Sequence, residues 1–176
     1  MDNPPAMPVP NLRPCRVDET EAIASIINDA ASAYRGVIPA DRWHEPYMSR
    51  EELAAEIADG VGFWGAEEAG AQGPALVGVM GLQDRGDVAL IRHAYVRTAA
   101  RRGGIGSALL RHVERLTAKP ILIGTWAAAD WAIRFYVKHG YRVVGADEKN
   151  TLLARYWRVP ARQVESSVVL ASASFR

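Results

Sequence analysis

Two adjacent arginines and three glycines stand together between two apolar segments, in the run VRTAARRGGIGSALL from Val96 to Leu110. A helix N-terminus presents unpaired N–H groups and a partial positive charge, so it attracts anions. The glycines let successive amides point inward and let a ligand approach the backbone. Arg101 and Arg102 add charge-assisted donors that suit phosphate oxygens. We therefore expect a pyrophosphate-binding turn here, the alternative being a solvated arginine pair at an ordinary glycine-rich turn.

Two common phosphate-binding motifs do not fit this run. The dinucleotide fingerprint, aligned on Gly104 and Gly106, requires a small residue at the position of Leu109. The Walker pattern requires Gly-Lys-Ser/Thr four residues after a glycine, and the run contains none. The run therefore indicates neither a dinucleotide-binding nor a Walker-type phosphate site.

The run does resemble a motif of a known family. Arg101-Arg-Gly-Gly104-Ile-Gly106 matches the R/Q-x-x-G-x-G/A motif of the GCN5-related N-acetyltransferases, the GNAT superfamily. Phe135-Tyr-Val-Lys-His-Gly-Tyr141 resembles the family's FYEKxGF segment, and the similarity runs from about residue 77 to 145. The resemblance implies that the phosphates belong to acetyl-coenzyme A and that no metal takes part. The residues that it places around the coenzyme are Ala94, Tyr95, Val96, Arg101, Arg102, Gly103, Gly104, Ile105, Gly106, Ser107, Ala129, Ala132 and Tyr136.

In the family, the strand ending at Tyr95 and Val96 diverges from the next one, and its backbone pairs with the pantetheine arm. Many relatives have an asparagine where this chain has Ala129, and a catalytic glutamate in the region of Leu90 and Ile91. These two departures leave both the pantetheine contact and the general base open.

Acetyl transfer to an amine needs a neutral amine, stabilisation of an oxyanion and a proton for the departing thiolate. A backbone N–H near Tyr95 could stabilise the oxyanion. Tyr136 stands where relatives carry a general-acid tyrosine, although its helical spacing also suits a core residue. A phenol (pKa ~10) can protonate a thiolate (pKa ~8.5) held nearby. His93 is the nearest titratable candidate for the base, with a water relay, His44, Glu45 and Asp41 as alternatives.

The acceptor is expected to be a small or amino-acid-like primary amine, with a protein N-terminus or lysine behind it. In relatives the segment between the first two helices helps to form the acceptor pocket. Tyr34, Trp43 and His44 in that segment, and Trp126 further on, are the candidate substrate residues. Their types favour neither a cationic nor an anionic acceptor.

Element order predicts an α/β (α+β mixed) GNAT-like fold: a central mixed, mostly antiparallel sheet of six to seven strands flanked by about four helices. Capping boxes are expected at Asp18–Glu21 and Ser49–Glu52. The helix after the glycine-rich turn is expected to bury Leu116 among others. Residues 1–11, with four prolines, are predicted to be a flexible lead-in, and 12–176 a single domain.

Composition narrows the setting. A formal net charge of +1 gives no field that would favour nucleic acid or an anionic membrane. The single cysteine, Cys15, excludes an internal disulfide, and the N-terminus lacks a signal-peptide pattern, so a cytoplasmic location is expected. A homodimer through the last strand, or a non-catalytic acyl-CoA sensor in place of an enzyme, are the alternatives that the sequence leaves open.

Overall fold

The computed structural model describes residues 10–176. Most of the predicted lead-in at 1–11 lies outside the described residues, and Asn11 already belongs to the first strand. None of the helices in the described part of the chain has the length and apolar character needed to cross a membrane.

Seven strands form one sheet in the order β1-β2-β3-β4-β5-β7-β6. Only β4 and β5 are parallel, and every other pair is antiparallel. This confirms the mixed, mostly antiparallel sheet. The strands are β1 (Asn11–Pro14), β2 (Gly62–Gly70), β3 (Gly73–Asp84), β4 (Ala89–Val96), β5 (Ile121–Trp126), β6 (Arg142–Val143) and β7 (Ser167–Ala171).

Six α-helices accompany the described sheet, two more than the four expected. They are α1 (Thr20–Ala31), α2 (Arg50–Ala58), α3 (Ile105–Glu114), α4 (Asp130–Lys138), α5 (Ala146–Tyr156) and α6 (Ala161–Glu165). The first turns of α5 are polar, so its sequence carries little helical periodicity, yet Leu152, Leu153 and Tyr156 near its end are buried. Leu116 is 42% exposed because α3 already ends at Glu114.

The helices lie on two faces of the sheet. Ile105, Leu109 and Val113 of α3 pack against Ile91 of β4 in one buried cluster. Leu90, the neighbour of Ile91 on β4, packs in the cluster that contains the buried residues of α5. Side chains alternate along a strand, so β4 contributes to the core on both of its faces.

The last strand has partners on both sides. β7 pairs with β5 through Leu122↔Ala171 to Trp126↔Ser167, and with β6 through Arg142↔Ala171 and Val143↔Leu170. The edge of β7 that faces away from β5 is therefore paired with β6 only at Leu170 and Ala171.

The two predicted helix caps have different outcomes. Ser49 accepts a hydrogen bond from the Glu52 amide at 3.1 Å, and Glu52 accepts one from the Ser49 amide at 2.8 Å, which confirms that capping box. The box at Asp18 is wrong, because α1 begins at Thr20 after a short 3-10 turn and Asp18 does not cap it. The Glu19 carboxylate instead accepts a 2.7 Å hydrogen bond from the Arg16 amide.

Arg13 joins β1, β2 and the start of α1. Its guanidinium donates to both oxygens of Glu19, at 2.8 and 2.6 Å, and its Nε donates to Glu67 at 2.8 Å. All three side chains are mostly buried, with 20%, 10% and 14% exposed. Hydrogen bonds from Arg13, only partly offset by burial, hold the pKa of the Glu19 carboxyl at about 2.

We expect Glu19→Gln to lower the free energy of unfolding by about 2 kcal/mol at pH 7, because it removes a charge-assisted pair from a largely buried arginine. The folded-state pKa of Glu19 lies below the ordinary 4.5, so its contribution is present above that pH. The difference from wild type should shrink as the pH falls from 4.5 towards 2.

Urea denaturation at a series of pH values measures this difference. The matched control is Glu68→Gln, which removes an exposed carboxylate next to Glu67 in β2 and should change the free energy of unfolding little. An equal destabilisation by both substitutions would contradict the role given to Glu19.

Candidate active site

The central feature of the candidate site is a gap between β4 and β5. The two strands pair only through Ala89↔Ile121, Leu90↔Leu122 and Ile91↔Ile123. Both then continue without pairing to each other, β4 to Val96 and β5 to Trp126. The backbone groups that face this gap have no strand partner there, so they are available to a ligand that carries amides.

A β-bulge shapes β4 where the gap opens. Val79 of β3 pairs with Tyr95 and Gly81 pairs with Arg92, so Met80 stands opposite both His93 and Ala94. His93 has a φ of +52°, in the left-handed region that non-glycine residues seldom adopt. The bulge therefore redirects the side chains at this point of the strand.

Three residues were predicted to lie along the coenzyme arm: Ala94, Tyr95 and Val96. All three fall on the part of β4 that does not pair with β5. Ala94 and Val96 pack on the α3 side of the sheet. The side chain of Tyr95 packs on the α1 side. The backbone of β4 at the gap therefore lies between the α3 side and the α1 side of the sheet.

The glycine-rich turn leads from β4 into α3. Arg102 and Gly104 have φ values of +71° and +74°, and α3 begins at Ile105 with no side-chain cap. The first amide that bonds back to the helix start is that of Ala108, which donates to the Gly104 carbonyl at 2.9 Å. The preceding amides at the helix start therefore have no intrahelical acceptor, which is the arrangement that binds anions. These residues fit the diphosphate of a coenzyme.

The two arginines of the turn have different environments. One guanidinium nitrogen of Arg101 donates to the Ala30 carbonyl at 3.0 Å, which fastens the turn to the end of α1. Arg102 is exposed and, within residues 10–176, its side chain is in no ion pair. Of the pair, Arg102 is the one whose guanidinium is available to a phosphate.

The remaining residues of the turn and of the start of α3 are Gly103, Ile105, Gly106 and Ser107. Ile105 is 2% exposed, and a Cβ on Gly106 would lie 3.5 Å from Phe135 of α4. Ser107 Oγ lies 3.0 Å from Nε2 of His139, whose Nδ1 lies 2.7 Å from the Phe135 carbonyl. Nδ1 must donate to that carbonyl, so Nε2 accepts from the Ser107 hydroxyl. The hydroxyl thus connects α3 to α4.

The predicted residues of α4 lie at different depths. Ala129, the residue before α4, is fully buried, and Ala132 is partly buried. Tyr136 is 6% exposed and packs in the buried cluster on the α3 side of the sheet. Burial, with a smaller contribution from Tyr34, raises the pKa of Tyr136 well above its ordinary value, so the phenol remains protonated at neutral pH.

A cavity of about 440 Å³ opens on the α1 and α2 side of the gap. Tyr34, His44, His93 and Trp126 are among its lining residues. The structure therefore brings three of the four candidate substrate residues to one cavity. The fourth, Trp43, is not part of the lining and stacks on Tyr47 with ring centroids 5.8 Å apart.

Three tyrosines, with Trp126 and Trp157, belong to the aromatic part of the lining. The rings of Tyr47 and Tyr95 lie 5.5 and 6.3 Å from that of Tyr34. Tyr47 accepts a 2.8 Å hydrogen bond from Nε1 of Trp126, and burial raises the pKa of Tyr47 to about 12. The tyrosine hydroxyls are therefore neutral donors and acceptors in an apolar setting.

A charged group lies at another part of the cavity lining. Nη2 of Arg92 donates to Oε1 of Glu56 at 2.8 Å, and Nε2 of His93 lies 3.4 Å from Oε2 of the same carboxylate. Burial by itself would raise the pKa of Glu56, but its contact with His93 and the charge of Arg92 outweigh burial and lower it. Glu56 was not predicted, because nothing in the sequence of α2 connects it with β4.

Solved structures that are similar in fold include acetyltransferases of low sequence identity. PaiA N-acetyltransferase from Thermoplasma acidophilum, crystallised with coenzyme A, is 19% identical with a TM-score of 0.67, over 92% of this chain and 97% of that one. A GNAT-family acetyltransferase from Staphylococcus aureus is 17% identical with a TM-score of 0.68, over 93% and 98%. The ribosomal-protein-S18-alanine N-acetyltransferase from Escherichia coli is 15% identical with a TM-score of 0.63, over 93% of each chain. These likenesses concern the fold.

The sequence adds a family match to this likeness of fold. The acetyltransferase (GNAT) domain family matches residues 59–143, which span β2 to β6. Over this segment the chain is a GNAT acetyltransferase domain. No curated protein matches the chain in sequence.

The GNAT motifs and the cavity lie on different sides of the gap. The family motif at 101–106 lies at the start of α3, where the amides are free, and the FYEKxGF-like segment forms the end of α4. Both motifs therefore belong to the α3 side of the sheet. The cavity lined by Tyr34 and Trp126 belongs to the other side.

We expect Gly104→Ala to destabilise the protein by about 1 kcal/mol, because an L side chain is strained at a φ of +74° even though no atom lies within 4 Å of the added Cβ. Gly106→Ala is the matched substitution two residues later. Gly106 lies inside α3 with no positive φ, and alanine is the better helix former, so this variant should be at least as stable as wild type. Urea midpoints distinguish the two, and a Gly104→Ala midpoint equal to wild type would contradict the left-handed turn.

Proposed function

We propose that the protein is an acetyl-CoA-dependent N-acetyltransferase that transfers an acetyl group to a primary amine by direct attack on the thioester. The observation that carries this proposal is the gap between β4 and β5, with a turn of free helix-start amides at its α3 side and a cavity at its α2 side. A coenzyme on one side and an acceptor on the other would meet at the unpaired backbone of β4.

The coenzyme would be held mainly by main-chain groups. Free amides at the start of α3, with the Arg102 side chain, suit the diphosphate. The unpaired edge of Ala94, Tyr95 and Val96 suits the amides of the pantetheine arm. When bound, acetyl-CoA would supply an acetyl group already activated as a thioester.

Tyr136 is proposed as the general acid. Its burial keeps the phenol protonated, which is the state required to donate a proton to the departing sulfur. Its position on the α3 side of the sheet is the side assigned to the coenzyme. The same burial makes the phenolate costly, so proton transfer from the phenol to the thiolate, the weaker base, is uphill and requires the sulfur to be held close to the hydroxyl.

His93 is proposed as the general base. It lines the acceptor cavity, and a neutral imidazole carries a lone pair on one ring nitrogen that can take a proton. Leu90 and Ile91 stand where many relatives have a glutamate. Both are apolar and buried, at 0% and 2% exposed, so neither residue can act as the base.

The acceptor is proposed to be a small or amino-acid-like amine. A cavity of about 440 Å³ has the size of a small-molecule site, and its lining includes both carboxylates and guanidinium groups. A protein N-terminus is the second candidate, since the similar E. coli enzyme is a ribosomal-protein-S18-alanine N-acetyltransferase. We further propose a cytoplasmic location and no nucleic-acid partner, on the near-neutral charge of the chain.

The alternative function is an acyl-CoA-binding sensor without catalysis. The apolar residues at 90, 91 and 129, where relatives have catalytic or pantetheine-binding polar groups, favour it. A sensor would bind acetyl-CoA and release no thiol with any acceptor, whereas an enzyme would release coenzyme A in proportion to acetylated amine.

The first test is therefore paired: calorimetric binding of acetyl-CoA, and thiol release in the presence of pooled amines and peptides. We expect binding and release in wild type. Arg102→Ala should weaken binding about tenfold, since it removes one charge-assisted contact to a phosphate. Arg111→Ala, an exposed arginine near the other end of α3, is the control and should bind as wild type does. Absence of acetyl-CoA binding by wild type would refute the proposal.

The second test is Tyr136→Phe. The substitution removes one hydroxyl from a packed ring, so the fold and acetyl-CoA binding should persist. Loss of a general acid should lower kcat about 10²–10⁴-fold. The measurement is steady-state thiol release with saturating acceptor, and an unchanged kcat would remove Tyr136 from the mechanism.

A further inference from the structure

Two buried polar atoms face each other at the edge of the acceptor cavity. Nε2 of His93 and Oε2 of Glu56 are 3.4 Å apart, and neither has a hydrogen-bond partner among the described residues. Their side chains are only 15% and 25% exposed. Leaving a buried polar atom unpaired is costly, so two such atoms only 3.4 Å apart call for a functional reason.

The carboxylate of Glu56 is held in one orientation. Its Oε1 accepts from Nη2 of Arg92 at 2.8 Å, and Nη1 of the same arginine donates to Oε1 of Gln83 at 3.1 Å. Gln83, fully buried, donates in turn to the carbonyl and carboxylate oxygens of Asp59 at 2.7 and 3.0 Å. With Oε1 occupied by Arg92, Oε2 is the oxygen left to His93.

The imidazole of His93 is held from its own side. The left-handed backbone at the bulge sets the direction in which its side chain leaves β4. Its ring stacks on Phe63 of β2, with centroids 6.1 Å apart and an angle of 26° between the ring planes. Of the two ring nitrogens only Nε2 is buried without a partner. Nδ1 is therefore the nitrogen left for the cavity that His93 lines.

We propose that Glu56 is a positioning residue that keeps His93 in the Nε2–H tautomer, so that Nδ1 is free to take the proton of the acceptor amine. The proposal rests on the proposed function. The carboxylate accepts the Nε2 hydrogen, and a neutral imidazole with a proton on Nε2 has its lone pair on Nδ1. A third group that orients the base in this way is a general device of nucleophile activation.

The proton balance is complete with the groups named. The amine nitrogen forms the C–N bond to the acetyl carbon while the C–S bond breaks. The proton lost by the amine goes to Nδ1 of His93, and the departing sulfur takes the phenol proton of Tyr136. Exchange with solvent then removes the proton from His93 and returns one to Tyr136. The net products are the acetylated amine and free coenzyme A.

Glu56→Gln tests the pair without changing its shape. Arg92 can only donate, so the new amide must turn its oxygen towards Arg92 and its NH₂ group towards His93. Nε2 of His93 then becomes the acceptor, and the proton moves to Nδ1, where it prevents that atom from acting as a base. We therefore expect the tautomer to invert in this variant.

The readouts are independent of each other. Side-chain ¹⁵N shifts of His93, measured without acetyl-CoA, should report Nε2–H in wild type and Nδ1–H in Glu56→Gln. Thiol release should show kcat lowered about 10²-fold, as for loss of a general base, with the KM for acetyl-CoA within about twofold of wild type. Glu51→Gln, which removes an exposed carboxylate from the same helix, should match wild type in both measurements.

A wild-type imidazole found as Nδ1–H, or a Glu56→Gln variant with wild-type kcat, would overturn the proposal. Failure of the proposed function is recognised separately, because wild type would then release no thiol with any acceptor, whatever its binding of acetyl-CoA and whatever the tautomer of His93.

Discussion

The incomplete pairing of β4 with β5 is the constraint on which the rest of the site depends. Three residue pairs join the strands, the last being Ile91 and Ile123, and beyond them the sheet is open between two strands that are otherwise paired on their outer edges. An open sheet interior leaves main-chain donors and acceptors without partners. In a GNAT domain this cost is useful, because a ligand that carries amides can pair there. The cavity on the far side exists because the strands diverge.

Contacts from a distant part of the sequence fix one border of the gap. The end of α1 is bonded to the turn after β4: the Asp29 carboxylate accepts from the Thr98 amide at 2.7 Å, and the Ala30 carbonyl accepts from Arg101. Bulged residues in β4 add twist where the gap opens. The site is therefore bordered by elements that are distant from one another in sequence.

Local features of the candidate site could be predicted from the sequence, whereas contacts between elements could not. The left-handed turn at Gly104 follows from a residue type that favours this backbone before a helix, whereas the positive φ of Arg102 does not follow from its residue type. Glu56 escaped prediction because its role depends on the register between α2 and a bulge in β4. Asp18 was expected to cap α1. Its neighbour Glu19 is bound by Arg13 of β1, and this contact between elements could not be read from the local capping pattern.

The arrangement of groups also bears on the route of the acetyl group. Cys15 is the only thiol in the sequence, and it follows β1, where its amide donates to the Phe63 carbonyl at 2.8 Å. It does not line the cavity, and burial, assisted by Glu19, raises the pKa of its thiol to about 11. A thiol that is protonated at neutral pH and remote from the gap is a poor nucleophile. Acetylation of this cysteine is therefore disfavoured as an intermediate step. The base and acid that we propose, on opposite faces of the gap, instead suit an amine that attacks the thioester directly, with its proton leaving on one face while another enters on the other.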